Sequence, residues 1–200
     1  MRLVPLALLL AASPLFGQDP RPAPARAGLS WAEADALTRK LADIEVRARQ
    51  TPRRAETVQV TQGEVNSFLN LTYAPEMPTG VTDVDVLFGT QRITARAFLD
   101  LEQFRGKVEI PTFSPLSLLS GRVPVELTGK FVNQDGFGAI EWESAYIASM
   151  RVPISMLEQI VVASSRTSER PEGFDIHAPF RLPYSVKSVR LEPGQAFLAF

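Results

Sequence analysis

The chain predicts an α+β fold with a mostly antiparallel, half-buried sheet, and three observations carry that prediction. Residues 83–101 and 123–146 alternate apolar with polar side chains, the period of strands that have one wet face. Turn signals at Gly89–Thr90, at Asn133–Gln134–Asp135–Gly136 and at Glu192–Pro193–Gly194 punctuate the alternation. Helical spacing occurs only in a first long segment and in short pieces between strands, which is the order of an α+β domain rather than of βαβ units.

The N-terminal stretch MRLVPLALLLAASPLFGQ has a charged start at Arg2, an apolar run from Leu3 to Ala12 and small residues near Gly17. It is short for a membrane span and lacks a stop-transfer pattern, so residues 1–17 read as a cleaved secretory signal, with a retained anchor as the alternative. The expected location is therefore periplasmic or secreted. Residues 18–29, containing DPRPAPARAG, are Pro/Ala-rich and aperiodic and read as an extended linker. Residues 30–200 then form one domain, a length sufficient for one core.

Ser30–Trp31–Ala32–Glu33 reads as a capping box that opens a helix over 30–50, ending before Pro52. Trp31, Ala34, Leu37, Leu41 and Ile44 recur on one face, with Asp35–Arg39, Asp43–Arg47 and Glu45–Arg49 as acid-first (i, i+4) pairs. The stripe is expected to pack on the domain. A strand near Glu56–Val60 follows. Thr61–Gln62–Gly63–Glu64 is a second capping box, opening a short helix with Val65, Phe68 and Leu69, which Pro75, Pro78 and Gly80 end.

Val84, Val86 and Phe88 alternate in the next strand, and Ile93, Ala95, Ala97, Leu99 and Leu101 in its partner. PTFSPLSLLSG at 111–121 reads as one helical turn, capped by Ser114 and stopped by Gly121. Val123, Val125 and Leu127 begin a further strand. On its return strand Ile140, Trp142, Ser144 and Tyr146 are assigned to one face and Glu141 and Glu143 to the other. Pro153 suits the first position of a helix striped by Ile154, Leu157, Ile160 and Val161. A polar loop over 164–173 and two closing strands around Glu192–Gly194 complete the chain.

With one His, no Cys and a formal net charge of −1, several chemistries lose their materials. A His/thiolate zinc or iron site has no donors, no disulfide or lipid-modified Cys can form, and nucleic acid lacks a clustered cationic surface. Arg47, Arg49, Arg53 and Arg54, flanked by Glu45 and Glu56, read as the solvated end of a helix, with a phosphate-binding or anionic-lipid patch as the alternative. His177 beside Asp175 has no G-x-S-x-G nucleophile to serve. Glu141 with Glu143, and Asp83 with Asp85, fit solvent faces of hairpins rather than catalytic carboxylate pairs. No catalytic residue, metal ligand or cofactor is expected.

Apolar residues occur instead where a filled core does not obviously need them. Phe113, Leu116, Leu118 and Leu119 crowd a single helical turn, which cannot bury all of them on one side. The short helices either fill a core or enclose an elongated apolar space against the sheet.

VTQGEVNSFLN, with its capped helix and central Asn66, resembles a motif of small exported TULIP-like (tubular lipid-binding) proteins, among them the bacterial LmeA, YpmS and YceB groups. The G-x-V-P-V strand, the DGFGAIEWESAYI hairpin, the Pro-started VPISMLEQI helix and the ending FRLPYSVKSVRLEPGQAFLAF follow in a similar order, over about residues 57–200. Helix 30–50 is outside the pattern. The resemblance implies a curved antiparallel sheet wrapped on a few helices, an acyl chain or other apolar ligand between them, and no catalytic residues. Expected tube-lining positions are Phe68, Ile93, Ala95, Leu99, Ile140, Trp142, Leu157, Ile160 and Val161. Ala95 and Ala97 are small enough to leave room in mid-strand. Phe113, Leu116, Leu118 and Leu119 would form a lip that contacts membrane. The partner would be a lipid or apolar small molecule, taken up with transient membrane contact, alongside an envelope protein that the sequence does not name. The competing reading is a filled-core envelope module that binds protein or glycan or assists assembly. An outer-membrane barrel, suggested by Ala196, Leu198 and Phe200, conflicts with the helical segments.

Overall fold

The computed structural model describes residues 28–49, 55–104, 119–165, 171–173 and 175–200. The expected signal, nearly all of the linker, Arg53, Arg54, Phe113, Leu116 and Leu118 lie outside the described residues, as does the side chain of Ile160. Helix α1 (Trp31–Ala48) precedes strand β1 (Thr57–Thr61) and helix α2 (Gln62–Ser67), which continues as a π-helical turn over Phe68–Thr72. Strands β2 (Val81–Gly89) and β3 (Arg92–Asp100), a helical turn α3 (Leu101–Phe104), and strands β4 (Arg122–Gln134), β5 (Phe137–Ile147) and β6 (Met150–Val152) follow. Helix α4 (Ile154–Ser165), the short β7 (Phe180–Arg181), β8 (Ser188–Glu192) and β9 (Gln195–Ala199) end the chain.

The strands form two sheets: a six-stranded one in the order β2-β3-β4-β5-β6, with β7 also on β5, and a three-stranded one in the order β1-β9-β8. Every described pairing is antiparallel, so the α+β reading holds. In the larger sheet Ile93, Ala95, Ala97 and Leu99 pair with Gly129, Leu127, Val125 and Val123 on the inner face. Arg92, Thr94, Arg96 and Phe98 share the outer face with Lys130, Thr128, Glu126 and Pro124.

The tips of its two long hairpins reach the edge of β8. The Asn133 side chain donates to the Val189 carbonyl at 2.8 Å and accepts the Val189 N–H at 2.9 Å. The Gln91 N–H donates to the Leu191 carbonyl, and the Gly136 N–H to the Lys187 carbonyl. An edge that would otherwise offer unpaired backbone is thus closed within the chain.

Several sequence expectations change in physical detail. The return strand does not keep one period: Trp142 pairs with Gly129 and Ser144 with Thr128, so Glu143 is an extra, bulged residue. A bulge shifts the alternation by one. Ala145 and Ile147 therefore take the buried face, and Ser144 and Tyr146 turn outward. Gly129 is required beside the bulge, because a Cβ there would meet Ile140 Cγ2 at 2.5 Å and the Glu141 carbonyl at 3.0 Å.

The capping box expected at Ser30 is absent. Ser30 makes no side-chain cap; its N–H donates to Ser67 Oγ, and that hydroxyl donates to Glu33. Tertiary contact with α2 replaces the local cap. Arg47 likewise reaches Glu56 rather than pairing with Asp43, while Glu45–Arg49 forms as expected. Leu101 opens α3 rather than ending β3, with Asp100 accepting the Glu102 N–H.

The core has two parts. One lies between the two sheets and under α1 and α2, and includes Leu37, Leu41, Val65, Phe68, Leu69, Phe131 and Ile140. The other lies where α4 packs on the far half of the larger sheet, around Ala145, Ile147, Val152 and Leu157.

Candidate apolar binding site

The site begins with the short helix α2. Thr61 caps it: its hydroxyl accepts the Glu64 N–H, and the Glu64 carboxylate accepts the Thr61 N–H at 2.9 Å. Gly63 lets α1 approach, since a Cβ there would lie 2.5 Å from Glu33 Oε1.

A row of side-chain amides then fixes the helix along β2. Gln62 Oε1 accepts the Phe88 N–H at 3.0 Å. Asn66 accepts the Val86 N–H at 2.7 Å and donates to the Val86 carbonyl at 3.1 Å and to Asp85 at 2.8 Å. Asn70 donates to the Val84 carbonyl at 2.6 Å. The amides recur every fourth residue of the helical segment and meet every second residue of the strand. Four helical residues rise about 6 Å and two strand residues about 6.7 Å, so the two rows stay in step. The amides satisfy the edge of β2 and hold the apolar side of α2 against the sheet.

Between α1, α2 and both sheets lies an apolar cavity of about 110 Å³. Leu37 and Leu41 line it from α1, Val65 from α2, and Val60, Val189, Leu191, Ala196 and Leu198 from the smaller sheet. Val86, Phe88, Ile93, Phe131, Ile140 and Phe180 line it from the larger sheet. All of these side chains are hydrocarbon. Phe131 and Phe180 pack with ring centroids 6.5 Å apart.

Of the residues singled out in the sequence, Ile93 and Ile140 line this cavity, and Phe68 is buried in the same core without being one of its lining residues. Ala95 is buried on the inner face between Val86 and Leu127. Leu99, Leu157, Val161 and the described lip residue Leu119 belong to the second core instead. Trp142 touches both, and its Nε1 donates to the Ile176 carbonyl at 3.0 Å. The expected lining is therefore divided between two places rather than gathered along one channel. Leu37 and Leu41 were readable as the buried stripe of α1, but nothing local shows that the stripe faces a cavity.

The outer face of the larger sheet is ionic. Arg92 holds Glu143 through two bonds of 2.7 and 2.8 Å, Arg96 holds Glu126 at 2.7 Å, and Lys130 lies 3.9 Å from Glu141. The Arg92 hydrogen bond keeps the Glu143 carboxyl below its ordinary pKa, and Glu143 raises that of Arg92. Glu141 and Glu143 each face a cation. Asp83 pairs with Arg122, and Asp85 accepts from Asn66. His177 is exposed; Asp175 accepts its backbone N–H, and its Nε2 lies 3.9 Å from Glu158. Among the described residues there is no metal-binding cluster and no helix long and apolar enough to cross a membrane. No protein-family model matches the chain, and no curated protein and no solved structure matches it.

Proposed function

We propose that this chain is an exported, non-catalytic binding protein for a lipid or other apolar ligand, in keeping with its TULIP-like resemblance. The observation that carries the reading is the hydrocarbon-lined cavity bounded by α1, α2 and both sheets. An engineered apolar cavity of about 150 Å³ stays dry and takes up benzene. At about 110 Å³ the space here suits a short hydrocarbon segment. A longer acyl chain enters only if the walls separate. Each methylene moved from water into such a space contributes about 0.8 kcal/mol. A membrane offers the same gain, so exchange between the two is near neutral and needs no chemistry.

The test is a fluorescent fatty-acid titration of the native chain and of Ala196→Leu, which projects a larger side chain into the cavity. Filling empty space stabilises by about 0.5–2 kcal/mol, so Ala196→Leu should melt at or above the native temperature while binding falls at least tenfold. Severe destabilisation without a change in binding supports the second reading, a filled-core envelope module that binds protein or glycan. The modest volume of the cavity favours that reading.

A further inference from the structure

We propose that α1 is the displaceable cover of the apolar cavity and that ligand enters by its lifting; this rests on the ligand-binding reading above. The strand walls are fixed by backbone pairing, and α2 by side-chain amides together with one backbone bond. The lining strands are ladder-paired, Phe180 included, which pairs with Gly138. Helix α2 is tied to β2 by its amide row and to the β8–β9 turn through the Gln62 N–H on the Gly194 carbonyl at 2.8 Å.

Helix α1 is held differently. The hydrogen bonds that Ser30, Glu33, Lys40 and Arg47 make to the rest of the domain each involve a side chain. Lys40 Nζ reaches both Glu64 oxygens at 2.7 and 2.8 Å and the Gln59 carbonyl at 2.7 Å. Ser67 Oγ joins the Ser30 N–H to Glu33, and Arg47 meets Glu56. Polar latches therefore ring an apolar underside in which Leu37 and Leu41 face the cavity. The helix precedes β1, so lifting it breaks no strand pairing. Ser67 and Glu64 are buried while α1 is seated, and lifting the helix opens both to water, whereas the ladders have no such substitute once buried.

Because the sequence contains no Cys, a single engineered disulfide can lock the cover. Glu33→Cys with Gly63→Cys is the pair to try, since the Glu33 side chain meets the Cβ position of Gly63, its Cδ at 3.1 Å, and loss of free thiol on oxidation verifies the bridge before uptake is read. Stopped-flow uptake of cis-parinaric acid by the full chain, oxidised and then reduced, reads the effect. Uptake at least tenfold slower when oxidised, and recovered on reduction, is the expected result. Equal rates in both forms overturn the cover. Binding by neither form, nor by the native chain, overturns the ligand reading and the cover with it. Lys40→Ala, made without any Cys, guards against misfolding of the double variant. It should speed uptake at least threefold, and an unchanged rate also overturns the proposal.

Discussion

Replacing Asn66 by Ala tests the amide row that fixes α2 on β2. Val86 is 2 % exposed, so water does not readily reach its backbone groups once the amide is gone. Two buried groups then lose their partners, the Val86 N–H and the Val86 carbonyl, each worth about 1–3 kcal/mol when left unsatisfied. The bond to half-buried Asp85 adds little, because water can replace it. The expected loss is about 2–6 kcal/mol, a fall of roughly 4–24 °C in Tm for a chain of this size. Urea unfolding followed by circular dichroism measures it. Gln62→Ala removes one bond, to half-buried Phe88, and should cost only about 1 kcal/mol. Asn66→Asp keeps an acceptor for the Val86 N–H, loses both donations and sets a second carboxylate beside Asp85, so it should also destabilise. Asn66→Ala within about 0.5 kcal/mol of the native chain, the range of an ordinary surface substitution, would refute the amide-row account.

Gly129→Ala should cost about 1–3 kcal/mol by overpacking Ile140 and the Glu141 carbonyl, read as a lowered urea midpoint. Ala148 and Ser149 turn β5 into β6 with φ of 50° and 66°, a conformation that favours Asn-Gly. Ala148→Asn with Ser149→Gly should therefore raise stability by about 1 kcal/mol in the same assay. Arg92→Leu should return the Glu143 carboxyl upward toward its ordinary pKa, followed by carboxyl-carbon NMR. The folded-state pKa of Glu143 is lowered, so its stabilising contribution is present above the unfolded carboxylate pKa and disappears as pH falls through the folded one. The Arg92→Leu variant should lose less stability over that acidic window than the native chain.

The parts of the fold legible in the sequence were those specified locally. Pro52 and the stripe of Leu37, Leu41 and Ile44 gave α1 to within two residues at each end, Thr61 and Glu64 gave the cap of α2, and Asp135–Gly136 gave the β4–β5 turn. The parts that escaped depend on partners distant in sequence. Ser30 gave up its cap for Ser67, which no nearby pattern signals. The bulge at Glu143 carries no turn residue, so strict alternation put Ser144 and Tyr146 on the buried face. Ala148–Ser149 turns the chain without Gly or Asn. For the site, alternation identified Ile93 and Ile140, but it could not separate one apolar face into two cores or bring Leu37 across from α1. The spacing of Gln62, Asn66 and Asn70 was visible in the sequence, and only the position of β2 gives it a role.

The most direct test is native mass spectrometry of the full-length protein, purified from cells without detergent, with organic extraction of the same sample. The account predicts a fraction carrying an apolar adduct that Ala196→Leu depletes and extraction releases. Protein of bare mass throughout, with no extractable lipid and no uptake of added fatty acid, would contradict it.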